Sequence, residues 1–313
     1  MRILLAGATG TAGGAVLDAL VAAGHTVVAL SRNQEPSCDT ATWLPWSAIQ
    51  QTSHPSLTGI DAVVSCLASR TGGIRDSHAV EYQANSELLA FAMRHNISRF
   101  MLLSAICVQK PRLAFQHAKL AFEQELISSG IDWQIVRPTA FFKSLSGQIG
   151  RIQKGKPFLV FGNGLLTACK PISQQDLARF MCRELERDEH INCILPIGGP
   201  GPAITPLDQV RLLEMAFKRP VAIKSVSPSL FRLAERLFGL FAPLSNWFAD
   251  KAEFCRIAHF YATESMLVWD SEQDRYDSAA TPETGSDTLS DFYCAIAAGE
   301  AAPPERRKHK LFS

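Results

Sequence analysis

The stretch ILLAGATGTAGGAVLDALVAAGH, residues 3–25, decides the fold. A short apolar run enters Gly7, Thr9, Gly10 and Gly13, and an apolar helical stripe follows until Gly24. A strand that turns through spaced glycines into a helix builds a dinucleotide site. Gly7 permits the tight turn, Gly10 lets the backbone approach a pyrophosphate, Gly13 lets the helix pack close to the strand, and the helix N-terminus faces the anion. A purely structural turn is the competing reading of a lone glycine triplet, but its place between a strand and a helix at the start of the chain favours the cofactor site.

Outward from this unit, strand-like runs alternate with helical periodicity: RILLAG (2–7), TVVALS (26–31), DAVVSCLAS (61–69), RFMLLSA (99–105) and WQIVRPTA (133–140). The alternation predicts an α/β protein with a Rossmann-type, doubly wound parallel sheet. Between Asn33 and Gly59 the pattern weakens, and TATWLP (40–45) is a poor third strand. From about Gly155 the rhythm changes to short runs, PFLVFG (157–162), CILPIGG (193–199) and VAIKSVS (221–227), between helical segments. We therefore expect an NADP-binding domain over 1–150, a smaller C-terminal α+β substrate lobe over 151–300 interleaved with it, and a mobile, basic tail over 301–313. LFRLAERLFGLFAPLSNWFA (230–249) is very apolar, yet its charges and Pro243 make it too short to span a bilayer; it reads as a buried helix, a lid or a peripheral membrane contact.

The chain has 313 residues, 47% of them hydrophobic, enough for a sizeable core, and a formal charge of +1. That balance gives no broad basic surface for nucleic acid. Its eight cysteines include no Cys-x-x-Cys pair, so they read as reduced thiols rather than a metal or dithiol site. With a strand in the first residues and no signal or transit pattern, the expected location is cytoplasmic.

At the end of the second strand, where a carboxylate would select NAD, stand Ser31 and Arg32. A guanidinium can hold a 2′-phosphate through paired donors, which favours NADPH over NADH. A solvated strand end is the alternative for Arg32. Farther on, Ser104 closes RFMLLSA, and the next helix carries Phe115, Ala118, Phe122 and Leu126 on one apolar stripe with Lys119 inside it. A cation so placed needs a partner. The order Ser104, then Phe115-x-x-x-Lys119, resembles the Ser and Tyr-x-x-x-Lys of short-chain dehydrogenases/reductases, in which the lysine binds the nicotinamide ribose and the tyrosine supplies a proton. Here the tyrosine is absent. Carbonyl reduction needs an acid beside the forming alkoxide, and Phe115 cannot donate. Reduction of a conjugated C=C bond is different, because the charge spreads through a π-system and can be quenched by water or a weaker acid. A protein that binds NADP without chemistry fits Phe115 equally well.

Six phrases add to this: CLASRTGGIRDSHAVEYQA (66–84), LLSAICVQKP (102–111), VRPTAFFKSLSGQ (136–148), ACKPIS (168–173), LPIGGPG (195–201) and YATESMLVWD (261–270). Together they resemble the divinyl chlorophyllide 8-vinyl reductases, from Met1 to about Phe292. The resemblance implies NADPH-dependent reduction of the 8-vinyl group of divinyl chlorophyllide a, or its protochlorophyllide precursor, to ethyl in chlorophyll or bacteriochlorophyll synthesis. It departs from the family in the shortened 33–59 stretch and the basic tail.

A flat tetrapyrrole needs a wide apolar slot with a few polar anchors. Lys110, Lys143 and Lys170 are candidate anchors for its propionate or ring ketone, each equally readable as a solvated lysine. Phe141 and Phe142 are candidate ring contacts, although adjacent aromatics at a strand end more often pack in a core. Cys107, His117 and Cys169 are the nearest candidate acids in sequence. The catalytic pair is thus Lys119 and Ser104. The cofactor set is Gly7, Thr9, Gly10, Gly13, Ser31, Arg32 and Lys119, and no metal is expected. A non-catalytic NADP sensor or assembly factor of the same fold, or a reductase of another conjugated alkene, are the competing functions.

Overall fold

The computed structural model describes residues 1–32, 40–51 and 54–301. The expected tail lies, from residue 302 onward, outside the described residues, as do Cys38 and part of the shortened stretch.

Seven parallel strands form the central sheet in the order β3-β2-β1-β4-β5-β6-β8. They are β1 (Arg2–Ala6), β2 (Thr26–Ser31), β3 (Thr42–Pro45), β4 (Ala62–Ser65), β5 (Arg99–Leu103), β6 (Asp132–Pro138) and β8 (Cys193–Ile197). Central strands such as RILLA and AVVS are apolar at nearly every position because helices cover both faces of a parallel sheet. One face packs on α1 (Thr11–Ala22) and α7 (Gln174–Leu185), through Val16, Leu17, Leu20, Leu177, Met181 and Leu185. The other packs on α3 (Ala84–Arg94) and α4 (Ala114–Ile127), where Phe122 meets Phe100 with ring centroids 5.7 Å apart.

TATWLP does supply the edge strand β3, paired with β2 from Val28↔Thr42 to Ser31↔Pro45. Its weak pattern has a physical cause. An outer strand buries little, and only Leu44 of the four residues is fully buried.

CILPIGG requires a correction. It is not part of the smaller lobe: β8 pairs with β6 from Gln134↔Cys193 to Pro138↔Ile197 and completes the central sheet. The helix just before it, α7, packs beside α1. The exposed and half-buried residues of β8 show why it read as a lobe strand, since a sheet edge lacks the continuous burial of the middle.

The lobe proper holds β7 (Phe158–Phe161) parallel to β9 (Ile223–Val226) and the antiparallel pair β10 (Val268–Asp270) and β11 (Arg275–Asp277). Short α5 (Phe142–Leu145) and α6 (Ile149–Gln153) lead into it, and α8 (Pro206–Phe217) and α11 (Leu289–Ala298) share an apolar core around Tyr293. The apolar stretch becomes α9 (Ser229–Phe241), which leads into α10 (Asn246–Thr263). It is no buried helix. No residue of α9 is fully buried, and Leu230, Leu233, Leu237 and Leu240 are each more than half exposed. Among the described residues no helix is long and apolar enough to cross a membrane.

A helical segment over 74–94 is broken by a π-helical turn, His78–Gln83, between α2 (Ile74–Ser77) and α3. Such turns re-aim side chains and are frequent at functional sites. Here it carries Glu81 inward, to 3% exposure.

Candidate active site

The carboxyl ends of β1, β2, β4 and β5 open onto a cleft of about 320 Å³, lined by Gly7, Thr9, Gly10 and Gly13, by Arg32, by Ser104 and Lys119, and by Phe141. Ligands bind open α/β sheets at this edge because the strand order reverses there and the connecting loops part. Gly7 has a φ of +84°, and a Cβ built on it would stand 2.5 Å from the Cys66 carbonyl oxygen. A Cβ on Gly13 would stand 2.1 Å from the Gly7 oxygen, so side chains at either position would push the turn apart. Gly10, the N-cap of α1, gives no side-chain cap, and the first turn holds no acid. The helix end therefore keeps donors and partial positive charge for an anion. This cradle fits a dinucleotide's pyrophosphate.

Lys119 is buried in α4, as its stripe position requires, and its partner is Glu81: Nζ lies 2.8 Å from Oε2. The other oxygen, Oε1, accepts from the Ser69 backbone N–H at 2.8 Å and from the Ser69 hydroxyl at 2.9 Å. Thus the lysine is fixed from behind. Ser104 donates its hydroxyl proton to Glu123 Oε1 at 2.5 Å, and Glu123 is ion-paired to Arg137. Ser104 lines the cleft while its hydroxyl is committed to that buried pair.

The structure thus gathers Gly7, Thr9, Gly10, Gly13, Arg32, Ser104, Lys119 and Phe141 on one cleft, with Ser31 buried beside Arg32. The remaining substrate candidates are dispersed. Lys110 pairs with Glu264 at 3.1 Å and lies 3.8 Å from the centre of the Trp269 ring. Lys170 donates to the Thr281 carbonyl at 3.1 Å and lies 3.5 Å from Glu283. Lys143 donates to Thr11 Oγ1 at 2.7 Å, on the cofactor side of the cleft. Phe142 packs into the lobe core against Phe292, which is core packing rather than ring contact with a ligand. His117 faces solvent. Cys107 and Cys169 are buried, and burial pushes the Cys169 thiol up to about 12 and raises the Cys107 thiol as well.

Sequence reasoning missed Glu81, Glu123, Arg137 and Tyr261. Two of them left a signal. Glu123 stands four residues after Lys119 on the same helix, and Arg137 interrupts the apolar run of β6. Tyr261, on α10, lines a smaller cavity of about 90 Å³ together with Ala140, Cys169, Thr205, Glu264 and Met266. That cavity adjoins the cleft across the Ala140–Phe141 link. No cluster of metal-ligating side chains occurs among the described residues.

The fold and cleft define a nicotinamide-nucleotide-binding protein, and the family model described as NAD(P)H-binding matches residues 7–188. Among solved structures, the NADPH-dependent quinone oxidoreductase QOR2 of Escherichia coli, complexed with NADPH, shares the fold: TM-score 0.66, 16% identity, 94% of this chain and 99% of that one. Among curated proteins, the chloroplastic divinyl chlorophyllide a 8-vinyl-reductase of Cucumis sativus is 40% identical over 341 residues, covering 99% of this chain and 80% of that protein. The Arabidopsis thaliana protein of the same name is 45% identical over 76% of this chain and 58% of its own length. The chain belongs to the divinyl chlorophyllide a 8-vinyl-reductase family.

Proposed function

We propose that this chain uses NADPH to reduce the 8-vinyl group of 3,8-divinyl chlorophyllide a, or of the corresponding protochlorophyllide, to ethyl in chlorophyll or bacteriochlorophyll synthesis. The observation that carries the reading is a site that keeps Lys119, held by Glu81, while Phe115 occupies the position of the usual phenol. When bound, the cofactor supplies the hydride. The glycine turn and the N-terminus of α1 receive its pyrophosphate, Arg32 pairs with the 2′-phosphate, and Lys119 positions the nicotinamide ribose. Lys143, already against Thr11, adds positive charge at the same helix end. The chain's main contribution is to place the two reactants against each other, an effect worth up to roughly 7–11 kcal/mol in well-oriented systems.

The test is direct. Purified protein given NADPH and 3,8-divinyl chlorophyllide a is expected to yield a product heavier by two hydrogens, ethyl at position 8 with the 3-vinyl group intact. With deuterated cofactor, the label is expected on the terminal carbon of the new ethyl group. Absence of product from both tetrapyrroles, with NADPH demonstrably bound, would overturn the assignment and favour a non-catalytic NADP-binding role.

A further inference from the structure

Alkene reduction needs one proton for each hydride, and Phe115 supplies none. The groups around the inner end of the cleft can be sorted by whether their protons are already committed. Ser104 donates to Glu123, and Lys119 is held by Glu81. Tyr276 donates to Glu264 at 2.7 Å. Tyr293 lies in the lobe core beside Gln209, and His117 faces solvent. Cys66 and Cys107 are buried thiols.

Tyr261 differs from all of these. Its residue is 47% exposed, its ring forms part of a cavity wall, and among the described residues its hydroxyl has no polar partner nearer than Cys107 Sγ at 4.0 Å.

Its position is built, not incidental. Cys107 belongs to the turn Ile106–Gln109 that follows β5 and Ser104, and its carbonyl accepts from Gln116 Nε2 of α4 at 2.7 Å. The helix that carries Tyr261 is docked on the first turn of α4, where the buried Glu253 accepts the Ala114 N–H at 2.7 Å. Phe115 packs into the same apolar cluster as Cys107 and Phe260, the neighbour of Tyr261. A phenol from α10 is therefore brought next to the segment where α4 offers only a hydrocarbon ring.

We propose that Tyr261 is the proton donor of the reaction; this rests on the vinyl-reductase reading. The outer vinyl carbon would take hydrogen with its electron pair, the chemistry that bound NADPH would supply, and the C=C π pair would move to the inner carbon and the macrocycle. That pair takes the proton of the Tyr261 hydroxyl as its O–H bond breaks. The phenolate regains a proton from water in the cavity, so alkene, hydride and proton balance as the ethyl group. Burial of its hydroxyl, with Cys107 and Glu81 nearby, holds the Tyr261 phenol well above the ordinary tyrosine value, while the residue as a whole stays 47% exposed. Any tyrosine carries its proton across the neutral range, so this one is available to donate there.

Tyr261→Phe in the full chain tests this. Expected are an unchanged melting temperature and unchanged NADPH affinity by fluorescence titration, with turnover of divinyl chlorophyllide a lower by roughly 100-fold or more. Ultraviolet difference titration of parent against variant, without cofactor, is expected to show one phenol that ionises later than ordinary tyrosine. Should Tyr261→Phe fold poorly, an acidic fluorotyrosine at position 261 keeps the ring's shape and is expected to move the alkaline limb of turnover to lower pH. Parental turnover in Tyr261→Phe, or an unmoved limb, would overturn the donor assignment alone. A parent protein inert toward both tetrapyrroles would instead overturn the vinyl-reductase reading, and the donor role with it.

Discussion

Lys119 Nζ and Glu81 Oε2 stand 2.8 Å apart with both side chains withdrawn from water, one on α4 and the other on a π-helical turn. The two elements are far apart in sequence, and the pair joins them behind the cleft. Removing one partner leaves an uncompensated buried charge, which costs about 3–5 kcal/mol. Glu81→Ala is expected to lose stability on that scale, read as a lower urea midpoint. Replacing both partners by apolar residues, as in Glu81→Leu with Lys119→Met, is expected to destabilise less than either single change. A double variant as unstable as the sum of the singles would show that the two charges do not act as a pair.

Arg32 is exposed at the end of β2 on the rim of the cleft. Hydrogen bonds to charged groups contribute about 1.5–3 kcal/mol. Arg32→Ala is therefore expected to weaken NADPH binding by roughly 10- to 150-fold while leaving NADH binding nearly unchanged. Isothermal titration with both cofactors measures the difference. An undiminished preference for NADPH would remove Arg32 as the reader of the 2′-phosphate.

Phe115 packs against the apolar cluster that includes Ile106, Cys107, Leu113 and Phe260. Phe115→Tyr is expected to give no gain in turnover, since the reaction forms no alkoxide there and Tyr261 already supplies the proton. Lys119→Ala is expected to abolish or greatly weaken turnover through loss of ribose positioning. A large gain in the first variant would revive carbonyl chemistry, and full activity in the second would end the ribose role.

The glycine turn and the five inner strands were legible because each is specified locally, by spacing or by continuous burial. Lys119 was legible as a buried cation, but its partner was not. Glu81 turns inward because of a π-helical turn, which has no period of its own in the sequence. Tyr261 was hidden for a different reason, since only the docking of α10 on α4 brings it near Cys107. The lysines at 110, 143 and 170 each carried two readings in the sequence, ligand anchor or solvated side chain. Position after a strand suggested ligand contact, whereas packing gave each a partner within the chain.

Glu264 gives the molecule a specific acid sensitivity. Burial alone would raise its carboxyl, but the Tyr276 hydroxyl, Lys110 and Arg112 outweigh burial and hold it below the ordinary value of 4.5. A carboxyl depressed by folding contributes stability that is fully present above the unfolded value and is lost as pH falls through the folded one. Urea midpoints of the parent are therefore expected to fall as pH drops below about 4.5. Glu264→Gln is expected to have a lower midpoint at neutral pH and a shallower decline in that acid range. Parallel curves for parent and variant would show that another group governs the decline.

The place of β8 also sets an order of events during synthesis. A nascent chain that has emerged only to Asn192 carries every other strand of the central sheet, yet β6 still presents an open row of backbone donors and acceptors. Such an edge is a template for another chain. The nucleotide-binding half is thus sealed from behind, by a strand made after part of the second lobe. A fragment ending near residue 150 would lack both β8 and α7 and leave the outer side of α1 bare. The central sheet is for that reason complete only when its seventh strand, ending at Ile197, has left the ribosome.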